Sequence, residues 1–317
     1  MTPGRSSGTP LVIDTDPALG VSFEGRPRDV DDAFAIVEAL RAPDIDLLGI
    51  TVTFGNAPLD DALKVTTALL ETAAADIPIA AGEARTLPAD GLPPRTDAVA
   101  LLHDILSRRR IRIAALGPLG NLGALLLHHP EDAANIEEVV IVGGRSQGSA
   151  FYLGDTGPVR DFNFENDVRA ARLLLESGVP VVCAGFELSS TVAMTARHLE
   201  RISAAGTPLA RHLAELSRPW LDYWTRTFPA DQGFHPWDSA AICWLRTPEL
   251  IESEVRGWRI HPTDQVPRGG NPDESAAQVD WLETGRNLPG SGKVVFCTGF
   301  VPGGAERFLD NVVAACR

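Results

Sequence analysis

Leu11-Val12-Ile13-Asp14-Thr15-Asp16-Pro17 is an apolar run that ends in acidic residues, and Asp29-Val30-Asp31-Asp32-Ala33-Phe34-Ala35-Ile36 opens a second apolar run on acidic residues again. The first is short and β-branched, as a buried strand requires; the second continues with apolar residues three and four apart, as a helix requires. The same alternation then repeats. Strands are expected at Pro10–Asp14, Asp46–Phe54, Ile77–Ala81, Ile111–Leu116, Glu138–Gly143 and Val179–Gly185, with helices near 31–42, 58–75, 97–109, 119–128 and 165–177. Strands alternating with helices imply crossover connections and a parallel sheet, so the fold class is α/β: an open, mostly parallel, doubly wound (Rossmann-like) sheet flanked by helices.

The final third reads differently. A long helical stretch near 195–228, a loop and a helix near 237–246 predict a mainly helical C-terminal cap. Three late runs, Gly257–His261, Gln278–Leu282 and Lys293–Thr298, predict edge strands, followed by a closing helix near 304–315. No linker-like stretch divides the 317 residues, so a single domain over 1–317 is expected. Residues 1–9 are polar and Gly/Ser-rich and read as a disordered tail, and 20–29 reads as an inserted loop.

A formal charge of −14 and an isoelectric point near 4.9 disfavour nucleic acid and anionic lipid, whose binding depends on Lys and Arg. The chain shows neither a signal-peptide pattern nor an apolar run of membrane-spanning length, and a cytoplasmic protein is expected. Cys183, Cys243, Cys297 and Cys316 form no CxxC pair and read as reduced core thiols.

Ligands of doubly wound sheets bind beyond the carboxyl ends of the strands. The residues found there are Asp14, Asp16, Asp31 and Asp32 after the first strand, then Gly55-Asn56, Gly117-Pro118 and Gly143-Gly144. Asp31 and Asp32 alone would suit the positive end of a helix, but that role has no use for Asp14 and Asp16. Carboxylates gathered at one junction raise one another's pKa unless a cation compensates, and an oxygen-only donor set of irregular geometry favours calcium over magnesium.

At this point the residues resemble a known family. The strand followed by Asp14-Thr15-Asp16-Pro17 and, after the insertion, Asp31-Asp32 is similar to the DxDPxxDD opening of the inosine–uridine preferring nucleoside hydrolases. Thr51-Val52-Thr53-Phe54-Gly55-Asn56, Leu116-Gly117-Pro118-Leu119-Gly120-Asn121, Val142-Gly143-Gly144, Asp161-Phe162-Asn163 and Trp237-Asp238-Ser239-Ala240 follow in order. The resemblance implies a calcium-dependent N-ribohydrolase that cleaves ribonucleosides to base and ribose, as a homodimer or homotetramer. It implies Asp16 as general base and metal ligand, and Asp32, Asp238 and the Leu116 carbonyl as further calcium ligands. Asp14 supports them, and Asp31, Asn56, Val142, Asp155, Asp161 and Asn163 contact the substrate.

The chain departs from the family in places. Many members place a histidine immediately before the late metal aspartate, as acid for the leaving base; Trp237 stands there, and His235 is the nearest alternative. Trp220, Tyr223, Trp224 and Trp237 gather rings on the leaving-group side, which suggests a stacked purine, although Trp220 and Trp224, four apart on a helix, also suit core packing. Asp161 and Asp155 stand where the family often has glutamate and asparagine; the lost amide donor and added charge at Asp155 suit either altered 5′-hydroxyl recognition or a different ribosyl substrate. The insertion at 20–29 suits either a lid or a surface excursion. Two alternatives remain at this level. One is a ribose-binding protein of the same fold with impaired turnover; the other is a haloacid-dehalogenase-like phosphohydrolase, whose DxD motif Asp14-Thr15-Asp16 resembles.

Overall fold

The computed structural model describes residues 8–153, 158–263, 279–288 and 292–317. Its sheet strands are β1 (Thr9–Thr15), β2 (Ile45–Val52), β3 (Ile79–Ala81), β4 (Ile111–Ala115), β5 (Ile136–Ile141), β6 (Arg145–Ser146), β7 (Val181–Cys183), β8 (Ile251–Thr263), β9 (Val279–Gly285) and β10 (Lys293–Phe300). They form one sheet of 10 strands in the order β3-β2-β1-β4-β5-β7-β10-β8-β9-β6. From β3 to β10 every pairing is parallel; β8 runs antiparallel to both β10 and β9. The late strands predicted as an edge therefore do extend the sheet.

The helices are α1 (Asp31–Arg41), α2 (Leu59–Thr72), α3 (Asp97–Leu106), α4 (Gly120–His128), α5 (Phe162–Asn166), α6 (Val168–Glu176), α7 (Phe186–Ser189), α8 (Ala196–Ser203), α9 (Pro208–Thr227), α10 (Ser239–Arg246) and α11 (Gly304–Ala315). The long helix expected over 195–228 is two, because Gly206 in the connection takes a left-handed φ of 70° that a continuing helix cannot use. Thr9 is already paired with Ile45, so the expected tail over 1–9 stops short of its predicted end; residues 1–7 lie outside the described residues.

Strand alternation divides the core. Leu11 and Ile13 face the cluster that contains α1, whereas Val12 faces the cluster of α3, α4 and α6. Helix α1 is buried from Asp31 to Ala39 and packs on α10 and α11, so its apolar residues sit on the sheet while its first turn points at the strand ends. Burial of Phe34 is complete, and truncating it to alanine would cost about 3–5 kcal/mol.

Chain order places the site. From β1 the chain runs outward to β2 and β3, then returns to the other side of β1 as β4, β5 and β7. The strand order thus reverses at β1 and β4, where diverging loops leave a crevice at the carboxyl ends. Residues 20–29 are a small hairpin, Ser22–Phe23 on Arg26–Pro27, turned by Glu24 and Gly25 at positive φ. It packs on α9, with Gly20 against Leu216, rather than across the crevice. The four cysteines are free and buried, and among the described residues no helix is long and apolar enough to cross a membrane.

Candidate active site

A cavity of about 330 Å³ opens at this reversal. Asp29, Asp31, Asn56, Leu116, Val142, Asp161, Asn163 and Asp238 line its floor and sides, and Phe162, Phe186, Trp224 and Trp237 bring rings to it. Asp14, Asp16 and Asp32 are fully buried and do not line it; Asp16 is bonded to the lining residue Asn56 and, through its amide, to Asp32.

The floor is built from strand ends and helix starts. Asp14 Oδ1 accepts from Thr51 Oγ1 at 2.5 Å and from Asn121 Nδ2 at 2.7 Å, so β1 is tied to β2 and α4. The same Asn121 accepts from the Glu83 amide at 2.8 Å, which holds the loop after β3. Asp16 Oδ2 accepts from the Asn56 amide at 2.5 Å. Two glycines make room: a Cβ on Gly55 would lie 1.9 Å from Asp16 Oδ2, and one on Gly117 would lie 2.7 Å from Oδ1. Asp32 Oδ1 receives the Thr15 hydroxyl and, at 3.1 Å, the Asp16 amide. The N-cap of α1, Val30, has no side-chain acceptor to cap the helix, and its own amide donates to Asp29 Oδ1 at 2.7 Å. Asp31 and Asp32 therefore do more than charge a helix end: Asp31 Oδ2 takes the Asp238 amide across 207 residues at 3.2 Å.

Carboxylate oxygens of Asp31, Asp32 and Asp238 lie within 4.8 Å of one another. Burial pushes Asp32 up to about 7 and Asp14 up to about 6 from a usual 3.8. Asp16, Asp31 and Asp238 are held well above the usual range by burial first, then by neighbouring charge: Asp32 on Asp16, Asp29 on Asp31, and Asp31 on Asp238. Asp16 Oδ1 and Asp32 Oδ2 are buried without a hydrogen-bond partner. Unpartnered buried carboxylate oxygens facing like charges are what a cation would relieve. The donors are all oxygen, which fits a hard divalent ion.

The residues expected on the sugar side are held by a separate frame. Gly144, at φ 85°, turns its amide onto Asp161 Oδ2 at 2.7 Å, and Asp161 N donates to Glu165 Oε1 at 2.9 Å. Glu165 also pairs with Arg145 at 3.1 Å and with Arg160 at 3.0 Å. Arg145 is fully buried between the rings of Phe151 and Trp281, with its guanidinium carbon 4.4 and 4.1 Å from their centroids. Burial lifts Asp161 to about 6, and the Arg145 charge restrains the rise. Asn163 Nδ2 donates to Leu116 O at 2.6 Å and to Val142 O at 3.2 Å, so a sugar-side amide rests on the carbonyl expected to bind metal.

The opposite wall is a stack. Phe151 lies on Phe186, with centroids 4.3 Å apart and planes at 11°, and Phe186 lies on Trp237 at 5.2 Å and 17°. Trp224 is largely buried and meets Trp237 edge-on at 6.4 Å while still lining the cavity, and Trp220 packs alongside at partial burial. His235 does not line the cavity. Its Nδ1 meets Val192 O at 2.6 Å and its Nε2 faces Asp231 at 3.4 Å, with the ring 4.6 Å from Trp237.

Most of the expected residues thus meet at or beside one cavity; of those expected on the leaving-group side, His235, Trp220 and Tyr223 do not line it, and Asp155 lies outside the described residues. Asp29, Asn121, Phe186 and Arg145 carry parts of the site that sequence reasoning did not assign. Asp29 belongs to the acidic run itself, Asn121 closes the Leu116–Asn121 motif, and Phe186 follows the Val179–Gly185 strand, where the strand-end rule applies equally. Arg145 had no signal beyond its place after Gly143-Gly144.

The inosine-uridine preferring nucleoside hydrolase family model matches residues 11–287. A pyrimidine-specific ribonucleoside hydrolase RihA of Enterobacter sp. (strain 638) is 30% identical, over 95% of this chain and 98% of that protein. The RihA of Citrobacter koseri is 33% identical over 75% and 83%. Among solved structures, the plant nucleoside hydrolase PpNRh1 superposes with a TM-score of 0.76 at 21% identity, covering 97% of this chain and 98% of that one. The purine-preferring ribonucleoside hydrolase from Gardnerella vaginalis superposes with a TM-score of 0.75 at 19% identity, covering 97% and 99%.

Proposed function

Because this chain belongs to the inosine-uridine preferring nucleoside hydrolase family and is a ribonucleoside N-glycosidic hydrolase, we propose that Asp16 is its general base and that calcium occupies the carboxylate floor. One observation carries the assignment: carboxylates from β1, α1 and the start of α10 converge, with unpartnered buried oxygens, on a cavity whose opposite wall is aromatic. The rival readings, a phosphohydrolase or a turnover-impaired binder, are not favoured.

In this reading Asp16, Asp32, Asp238 and the Leu116 carbonyl hold the ion, with Asp31 close enough to join them. A bound divalent cation supplies a field that lowers the pKa of water and offsets the repulsion among these carboxylates. Asp16 takes a proton from the water whose oxygen bonds to C1′. The C1′–N bond breaks ahead of that attack, so positive charge grows on the ribose, and the bond's electron pair leaves with the base, which takes its proton from solvent. Asp31 and Asp161 stabilise that charge, and with Asn56, Val142 and Asn163 they hold the hydroxyls in register. Asp14 fixes the strand end through Thr51 and Asn121. Asp155 is assigned to the 5′ side from the resemblance alone.

Trp237, Phe186 and Trp224 receive the departing base. The continuous stack supports our purine reading, since a fused ring covers more of Trp237 than a single ring does. The names of the RihA relatives support the second reading, a pyrimidine. His235, enclosed behind Trp237, is assigned to shaping that wall. A cytoplasmic homodimer or homotetramer completes the reading, and light scattering tests the assembly.

The deciding experiment is base release from inosine, adenosine, guanosine, uridine and cytidine, with calcium present or chelated, in wild type and Asp16→Ala. Calcium-dependent release lost in the variant supports the assignment, and the inosine-to-uridine ratio decides the base. Full release in chelator, or in Asp16→Ala, overturns it.

A further inference from the structure

Away from the cavity, two histidines and a carboxylate meet where two helices end. His103 stands in the last turn of α3, His129 caps α4, and Glu131 follows in the short 3-10 turn Pro130–Asn135. One ring nitrogen from each histidine and one Glu131 oxygen lie within 4.8 Å of one another. The imidazoles are stacked, with centroids 3.7 Å apart and planes at 16°. Buried Asp132 bonds His103 Nδ1 at 2.8 Å, so that ring is oriented by the protein, as the rings of metal-binding histidines usually are.

Hydrolysis makes no use of this cluster. Helix α4 separates it from the catalytic loop, and its nine residues span roughly 13 Å. Yet the surroundings select for positive charge. The carbonyl ends of α3 and α4 converge here, and each carries partial negative charge. Glu131 and Asp132 add two carboxylates beside the stacked rings. His129 Nδ1 and Glu131 Oε1 stand 3.3 Å apart. That separation matches the edge, about 3.3 Å, of a tetrahedron with metal–ligand bonds of about 2.0–2.1 Å.

We propose that His103, His129 and Glu131 bind a divalent transition-metal ion of the zinc type, at a site distinct from the oxygen-only floor of the cavity. Two imidazoles and one carboxylate suit zinc, whereas calcium takes oxygen ligands, so the two sites separate by donor chemistry. The ion ties the end of α3 to the exit of α4. It stabilises the folded chain in proportion to its affinity, because the unfolded chain does not assemble the site.

Equilibrium dialysis with zinc, on the full chain saturated with calcium, tests the site. The expected result is one zinc per chain, with a Kd raised about tenfold or more in His103→Ala, His129→Ala and Glu131→Gln, and with calcium-dependent base release unchanged. Glu131 is 66% exposed, so Glu131→Gln keeps the test valid if a histidine variant fails to fold. Cobalt as a zinc substitute should give the visible bands of a tetrahedral site in wild type and lose them in the variants. Zinc bound with equal affinity by the wild type and all three variants would overturn the proposal, as would the absence of zinc binding in wild type.

Discussion

The floor and the wall of the cavity obey opposite physics. On the floor, charges that repel one another are held by amides, hydroxyls and the space two glycines leave. On the wall, rings attract through contact area and a change in any one is absorbed by its neighbours. The floor is therefore intolerant of small displacements and the wall is graded. Function on the floor should fall by orders of magnitude and on the wall by small factors.

The sharpest test is Asp16→Asn, which keeps the shape and removes the proposed general base: base release should fall on the order of 10³-fold, with melting in chelator no lower than wild type because a repelling charge has gone. A loss below tenfold would break the contrast. Next comes Gly55→Ala, whose Cβ would enter the space of Asp16 Oδ2; displacing that carboxylate should cost about 10²-fold in kcat with the fold retained by circular dichroism. On the wall, Trp237→Ala should cost about three- to tenfold in kcat/KM, equivalent to the 0.5–1.5 kcal/mol of one aromatic pair, and more for inosine than for uridine if the base is a purine.

A smaller effect, a few degrees in Tm, should separate the two regions by pH. Asp14 and Asp32 ionise near 3.8 when unfolded but are pushed up to about 6 and about 7 in the folded chain. Their stabilising contribution is thus full below about pH 4 and is lost as pH rises toward 7. In chelator, Tm should be lower at pH 8 than at pH 5.5, and calcium should restore it at pH 8; a Tm that rises with pH in chelator would contradict the burial of these charges. The smallest change is expected of His235→Gln. Behind Trp237 and bonded to Val192 O, it should alter kcat less than about threefold, as surrounding ring contacts persist. A larger fall that is steepest for poor leaving groups would make His235 the missing acid.

The same contrast governs what could be read from the sequence. Asp14, Asp16, Asp31 and Asp32 were legible because their positions follow from one strand end and one helix start, local features that the chain spells out. Glycines beside them were legible for the same reason. Arg145 was not, because its role depends on Glu165 and on Trp281, brought to it only by the folded chain; Phe186 stands at a legible strand end, but its stacking between Phe151 and Trp237 is not written locally. Asp29 lay within the acidic run but was read as the end of an insertion; closing residues 22–27 into a hairpin on α9 brings it back to the cavity. The parallel strands followed from alternation, while the break at Gly206 depended on one dihedral angle that no periodicity reveals.

Of the six tryptophans, Trp224 and Trp237 line the cavity. In the proposed binding mode a base replaces water against those two indoles, while Trp220, Trp244, Trp258 and Trp281 do not line the cavity. Substrate arrival should therefore be visible as a change in intrinsic emission, without any label. Mixing Asp16→Asn with substrate in a stopped-flow instrument would record that signal free of turnover, giving the rate of binding apart from the rate of chemistry.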